Sequence, residues 1–210
     1  MMNGQANHQP PLILASTSPR RRRLLSEAGY AFRVLAPPIH EPDRMGAGIP
    51  PTHQAEALSY FKARSVLPQV EEGLILAADT VVACQGEVYG KPVDRNQAGD
   101  MLKALLGSRQ QVITGVTLLE AGTGKRQIVH ATTLVVMRTV SDQTIERYLD
   151  SGDWMGKAGG YGIQGRADAF VERIEGSFTN VVGLPMELLT NLLTKWGYSP
   201  ETPAKDPATR

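Results

Sequence analysis

A single cysteine, Cys84, stands in 210 residues, so no disulfide can form within the chain. That suits a reducing compartment and excludes the small secreted fold stapled by disulfides. Charge of one sign is lacking too. Lys and Arg number 22 against 21 for Asp and Glu, a net of +1. No global field therefore points to a nucleic acid polymer or an anionic membrane surface. The four histidines are scattered, none in a metal-ligand spacing. No apolar run approaches the length of a membrane span. The opening MMNGQANHQPP has neither a charged n-region nor an apolar h-region. These absences predict a cytoplasmic protein, and a 41% hydrophobic content suffices for a sizeable core.

What is present concentrates near the start. Leu12-Ile13-Leu14-Ala15 reads as a buried strand that breaks on Ser16-Thr17-Ser18 and restarts at Pro19 as a helix. Ser18 suits the N-cap, and Pro19 suits the first helical position, where its missing N–H would be unpaired anyway. Free backbone N–H groups and the positive end of the helix dipole then face whatever leaves the strand. Arg20 to Arg23 crowd the same turn, although cations are slightly unfavourable there. An anionic ligand such as phosphate would remove that cost. The alternative is a solvated basic face that happens to begin a helix.

Downstream, strand and helix patterns alternate. Thr52–Leu67 is predicted as a helix with Thr52 as its cap. Leu74–Ala83 is predicted as a strand buried on both faces. A helix from about Asp94 to Leu106 precedes two strands, Val112–Glu120 and Gln127–Arg138, joined as a hairpin by a Gly-rich turn. A helix over Asp142–Leu149, a Gly-rich stretch to Gly165, a strand over Ala169–Ile174 and a last helix from Gly183-Leu184-Pro185 complete the pattern. The hairpin within an alternating pattern predicts an α/β fold with a mixed sheet. Residues 12–198 read as one domain, and the polar, Pro-rich flanks 1–11 and 199–210 as disordered.

Asp79 interrupts an otherwise apolar strand. A buried carboxylate must meet a cation, a metal or hydrogen-bond donors. At a strand end it can bind Mg²⁺ or activate water; otherwise it caps a turn with Thr80. Glu41, in a Pro-rich loop, gains meaning only as a second carboxylate beside Asp79. Lys62 falls on an apolar helix face, where it can snorkel or point into a site. Lys91 and Lys157 sit at glycine-marked breaks. With Arg20 and Arg21 these lysines would balance the roughly four negative charges of a nucleoside triphosphate, with help from a metal ion. The glycines of Gly156–Gly165 allow close backbone approach to a ligand, without a Walker A sequence. Gln164 could hydrogen-bond a base edge. Trp154 and Tyr161 could stack on a base, although core packing is the commoner fate.

Five strings in order, ASTSPRRRRLL, AADTVV, GKP, DWMGKAGGYGIQG and NVVGLP, resemble the Maf proteins, a family of nucleoside triphosphate pyrophosphatases. The resemblance runs from Leu12 to about Tyr198. It implies hydrolysis between the α and β phosphates with Mg²⁺ or Mn²⁺. It also implies an elongated mixed sheet flanked by helices, inosine-triphosphatase-like, with a deep cleft between two lobes, often in a homodimer. By the same resemblance Asp79 is the catalytic acid and a metal ligand, with Glu41 the other. Ser16, Arg20, Arg21, Lys62, Lys91 and Lys157 would hold the substrate. Arg20, Thr80 and Gln164 match the marks of the subgroup acting on dTTP and UTP, whose housecleaning role extends to modified pyrimidine nucleotides. Two departures stand out. Gln110 replaces a usual His, and Gly156 replaces a usual Asp beside Lys157. The alternative is a non-catalytic nucleotide sensor linked to cell division.

Overall fold

The computed structural model describes residues 9–39 and 48–201. Glu41 lies outside them. Among the described residues seven strands form one mixed sheet: β1 (Leu12–Ala15), β2 (Arg33–Leu35), β3 (Leu74–Cys84), β4 (Glu87–Tyr89), β5 (Arg109–Glu120), β6 (Arg126–Met137) and β7 (Val171–Glu175). Their order is β2-β1-β3-β5-β6-β7, with β4 also paired to β3. The helices are α1 (Pro19–Glu27), α2 (Pro51–Val66), α3 (Arg95–Leu105), α4 (Asp142–Asp150), α5 (Phe178–Val182) and α6 (Met186–Lys195). None of the described helices is long and apolar enough to cross a membrane.

β1 runs parallel to β2 and β3, whereas β4 and β5 are antiparallel to β3. The sheet is mixed, as the hairpin predicts. β3 is the pivot. On one edge it pairs along its length with β5. On the other, β1 takes Leu74–Ala77 and β4 takes Val82–Cys84. Ala78 to Val81 lie in the gap between them, just where β1 ends.

Successive strand residues face opposite sides. Ile75, Ala77 and Val81 of β3 pack with Ala55, Leu58, Ala63 and Val66 of α2. Leu74, Leu76 and Ala78 pack on the other side with Leu25 of α1 and with Leu189, Leu192 and Leu193 of α6. Farther along that side, Val82 and Cys84 meet Leu102 of α3 and Tyr148 of α4. Cys84 is buried there as a free thiol.

α2 approaches the sheet closely because Gly115 of β5 has no side chain. A Cβ there would lie 2.2 Å from the Ala55 carbonyl oxygen. Ser59, wholly buried, ties the same helix to β5 through a 2.7 Å hydrogen bond with Thr117.

Three local readings need correction. α2 begins at Pro51 behind Pro50 with no side-chain cap, so Thr52 lies inside the helix. Proline presets the first-turn φ, and its lack of N–H leaves one unpaired donor fewer at the helix start. The strand predicted from Ala169 begins at Val171, after a 3₁₀ stretch over Arg166–Phe170. The short α5 precedes the last helix; Ser177 caps it, and Gly183 ends it at φ +122°. At the margins, the Pro10 and Pro11 carbonyls accept hydrogen bonds from Tyr198 and from the Leu74 N–H.

Gly115→Ala should force α2 off the sheet. Urea denaturation should show a loss of about 3 kcal/mol, the upper range for overpacking a core.

Candidate active site

A cavity of about 700 Å³ opens at the gap in β3. It lies beyond the carboxyl end of β1, the usual ligand position in α/β sheets. The gap lets one cavity reach both faces of the sheet. Lys62 enters from the α2 side, while Thr80, Val82 and Gly183 line it from the other.

The cationic end is built on α1. The Ser18 hydroxyl accepts from the Arg21 N–H at 3.4 Å, confirming the cap, and Ser16 Oγ accepts from the Ser18 N–H at 3.1 Å. These two bonds shape the turn that presents the helix N-terminus. Arg20 reaches across to donate to the Gly156 carbonyl at 3.1 Å. Gly156 holds φ at +66°, which a glycine adopts without strain, so the Gly in place of Asp has a conformational reason. Arg21 is buried and donates through Nε to the Gly183 carbonyl at 2.7 Å and through Nη2 to Thr80 Oγ1 at 3.1 Å. Arg22 and Arg23 are exposed, and Arg23 pairs with Glu27.

Lys157 donates to the Asp153 carbonyl and lies over Gly162, where a Cβ would fall 2.4 Å from Lys157 Cε. Burial and the nearby Arg20 hold the Lys157 ammonium below its ordinary value, with Asp153 opposing them. Burial pulls Arg20 down as well, with Tyr148 opposing. Cations disfavoured in this way gain from an anion between them. Exposed Lys91 completes the wall, and the Gly159 N–H fixes its neighbour by donating to the Gly90 carbonyl at 2.9 Å.

Asp79 and Lys62 form an ion pair, with Asp79 only 3% and Lys62 only 6% exposed. Lys62 lines the cavity and Asp79 sits behind it. Among the described residues no carboxylate lines the cavity directly, and no group of three His, Cys, Asp or Glu is placed to hold a metal.

The remaining wall is apolar: Val82, Val112, Val181, Val182, Tyr161 and Ile163. Exposed Gln164 stands at its rim. Trp154 belongs to the core, its indole N–H held by the Leu149 carbonyl, whereas Tyr161 packs in the core and also reaches the cavity. Gln110 is buried in β5 and does not line the cavity. Of the residues singled out in the sequence for phosphate or base, Ser16, Arg20, Arg21, Lys62, Thr80, Lys91, Lys157, Tyr161 and Gln164 line the cavity, Asp79 stands behind Lys62, Trp154 stays in the core, and Glu41 lies outside the described residues. Two were missed: Thr114, hydrogen-bonded to Thr80 at 2.9 Å, and Asn180, whose carbonyl accepts from Thr114 at 3.2 Å. Neither carried a local sequence signal, since only the fold buries them.

Cations and a set of valines line this one space, a combination that fits a nucleotide. Fold and site together define an α/β nucleotide-handling protein. Known sequences make that specific: the Maf-like protein family matches residues 11–196, and the chain belongs to it. A dTTP/UTP pyrophosphatase of Pelotomaculum thermopropionicum is 43% identical over 188 residues, covering 90% of this chain and 97% of that one. The dTTP/UTP pyrophosphatase of Bdellovibrio bacteriovorus is 42% identical, covering 90% of this chain and all of that one. That of Ruminiclostridium cellulolyticum is 43% identical, with 88% and 95% covered.

Lys62→Met leaves the Asp79 carboxylate buried without this cation and should cost about 3 kcal/mol. Adding Asp79→Asn should return part of the loss, which a double-mutant cycle by urea denaturation will read.

Proposed function

We propose that this protein hydrolyses nucleoside triphosphates, dTTP and UTP foremost, to the monophosphate and pyrophosphate. The supporting observation is a buried carboxylate, Asp79, behind a lysine at the cationic end of a nucleotide-sized cleft. Relatives 42–43% identical over nearly their whole length are named for that activity. A nucleotide sensor is not favoured: its binding would need the cations but not a carboxylate masked by Lys62.

The triphosphate lies across the N-terminus of α1, held by Ser16, Arg20, Arg21 and Lys157. A phosphate drawing on Lys62 loosens its hold on Asp79 and uncovers the carboxylate. Asp79 then orients a water and takes its proton as the oxygen attacks the α phosphorus. The bond to the bridging oxygen breaks and pyrophosphate leaves, its charge met by Lys91. The valine wall takes the base, with Thr80 and Gln164 reading its edge.

A divalent cation, Mg²⁺ or Mn²⁺, is part of this proposal. The protein's donors suit one only where the phosphates supply most ligands, the usual way Mg²⁺ is held. Asp79 would contribute, with Glu41 as the expected second carboxylate; bound there, the ion would offset charge on the departing pyrophosphate. A cytoplasmic homodimer that clears normal or modified pyrimidine nucleotides completes the reading.

Asp79→Asn should lower pyrophosphate release from UTP by about a thousandfold or more while circular dichroism stays unchanged. Near wild-type turnover would refute the assignment. Because the free Lys157 ammonium loses its proton more readily than usual, kcat/KM should fall on the alkaline side below an ordinary lysine's range. Lys157→Arg should move that limb upward.

A further inference from the structure

The Thr80 hydroxyl belongs to a hydrogen-bond chain whose direction can be counted. Arg21 Nη2 donates to Thr80 Oγ1 at 3.1 Å. Thr80 and Thr114 share a hydrogen bond of 2.9 Å, and Thr114 Oγ1 donates to the Asn180 carbonyl at 3.2 Å. A hydroxyl has one hydrogen and two lone pairs. Thr114, having given its hydrogen to Asn180, can only accept from Thr80. Thr80 therefore spends its hydrogen on Thr114 and one lone pair on Arg21. One lone pair is left toward the cavity.

The far end of the chain is firmly set. Thr114 and Asn180 are wholly buried. Asn180 Nδ2 donates to the Val112 carbonyl and to Thr133 Oγ1, both at 3.0 Å. The Asn180 carbonyl also receives the Gly183 N–H that closes α5, at 3.0 Å. None of these groups can rotate without breaking another bond in the core.

We infer that Thr114, anchored by Asn180, is a positioning residue that makes Thr80 an acceptor-only group and so selects a ligand with a hydrogen-bond donor facing it. This deepens the proposed pyrimidine nucleotide reading and rests on it. An acceptor-only hydroxyl repels phosphate oxygen and suits an N–H. Uracil and thymine carry a donor at ring N3, where cytosine carries a bare acceptor. Thr80 lines the cavity together with Val82, Val112, Val181 and Val182, apolar surface that suits the flat face of a base. Discrimination against CTP thus originates in a residue that does not touch the nucleotide.

The test compares kcat/KM for UTP and CTP in the wild type, Thr114→Val and Thr114→Ser. Valine keeps the shape and removes the acceptor, which frees the Thr80 hydrogen to turn toward cytosine N3. The UTP/CTP ratio should fall at least about tenfold in Thr114→Val, mainly through KM, and return in Thr114→Ser. A purely structural role would lower both substrates alike and leave the ratio unchanged, which would overturn the inference. If Thr114→Val does not fold, Thr80→Val serves instead. It removes the lone pair and should cost UTP at least tenfold with CTP little changed; equal losses would overturn the inference. A wild type that hydrolyses neither nucleotide would refute the functional reading itself, whereas a selective wild type with an unaltered ratio in Thr114→Val would refute only the role of Thr114.

Discussion

One edge of β3 is shared by two strands that do not meet, and the site exists because of the gap between them. β1 stops at Ala15, opposite Ala77, and β4 begins pairing only at Val82. A continuous neighbour would have closed this edge and separated the two faces of the sheet. With the edge open, adjacent residues serve one cavity from opposite sides. Asp79 points toward α2 and meets Lys62; Thr80 points toward α1 and α5 and meets Arg21. The Asp-Thr dipeptide thus turns one polar side chain to each face of the sheet by the alternation of a strand.

The helices set the electrostatics of the gap. α1 brings its N-terminus and two arginines to the end of β1, and Gly115 lets α2 lie close enough to bury Lys62 against Asp79. A buried ion pair contributes little net stability, because desolvation offsets most of the attraction. Here the lysine covers the carboxylate on the cavity side, where an anion would meet the lysine first. Arg20 and Lys157, both less readily charged than usual, add to the pull on such an anion.

Much of this was legible in the sequence, for identifiable reasons. The break from Ala15 through Ser18 to Pro19 carries strong local signals, and the cap formed as expected. The eleven-residue run of β3 announced a strand buried on both faces. Asp79 stood out because a carboxylate there needs a partner, yet nothing local named Lys62 as that partner, 17 residues away. Thr114 and Asn180 were silent for a similar reason. Threonine suits any strand and asparagine any helix start, so their alignment with Thr80 depends on the β3–β5 register and on α5, a helix too short for periodicity to reveal. The start of α2 was misplaced by one residue because proline substitutes for a polar cap.

The central claim is that water attacks the α phosphorus of a pyrimidine nucleoside triphosphate in this cleft. Hydrolysis of UTP in ¹⁸O-labelled water, followed by mass spectrometry of the products, tests it most directly. The account predicts unlabelled pyrophosphate and a single ¹⁸O in UMP. Label in the pyrophosphate, or release of orthophosphate with UDP, would contradict it.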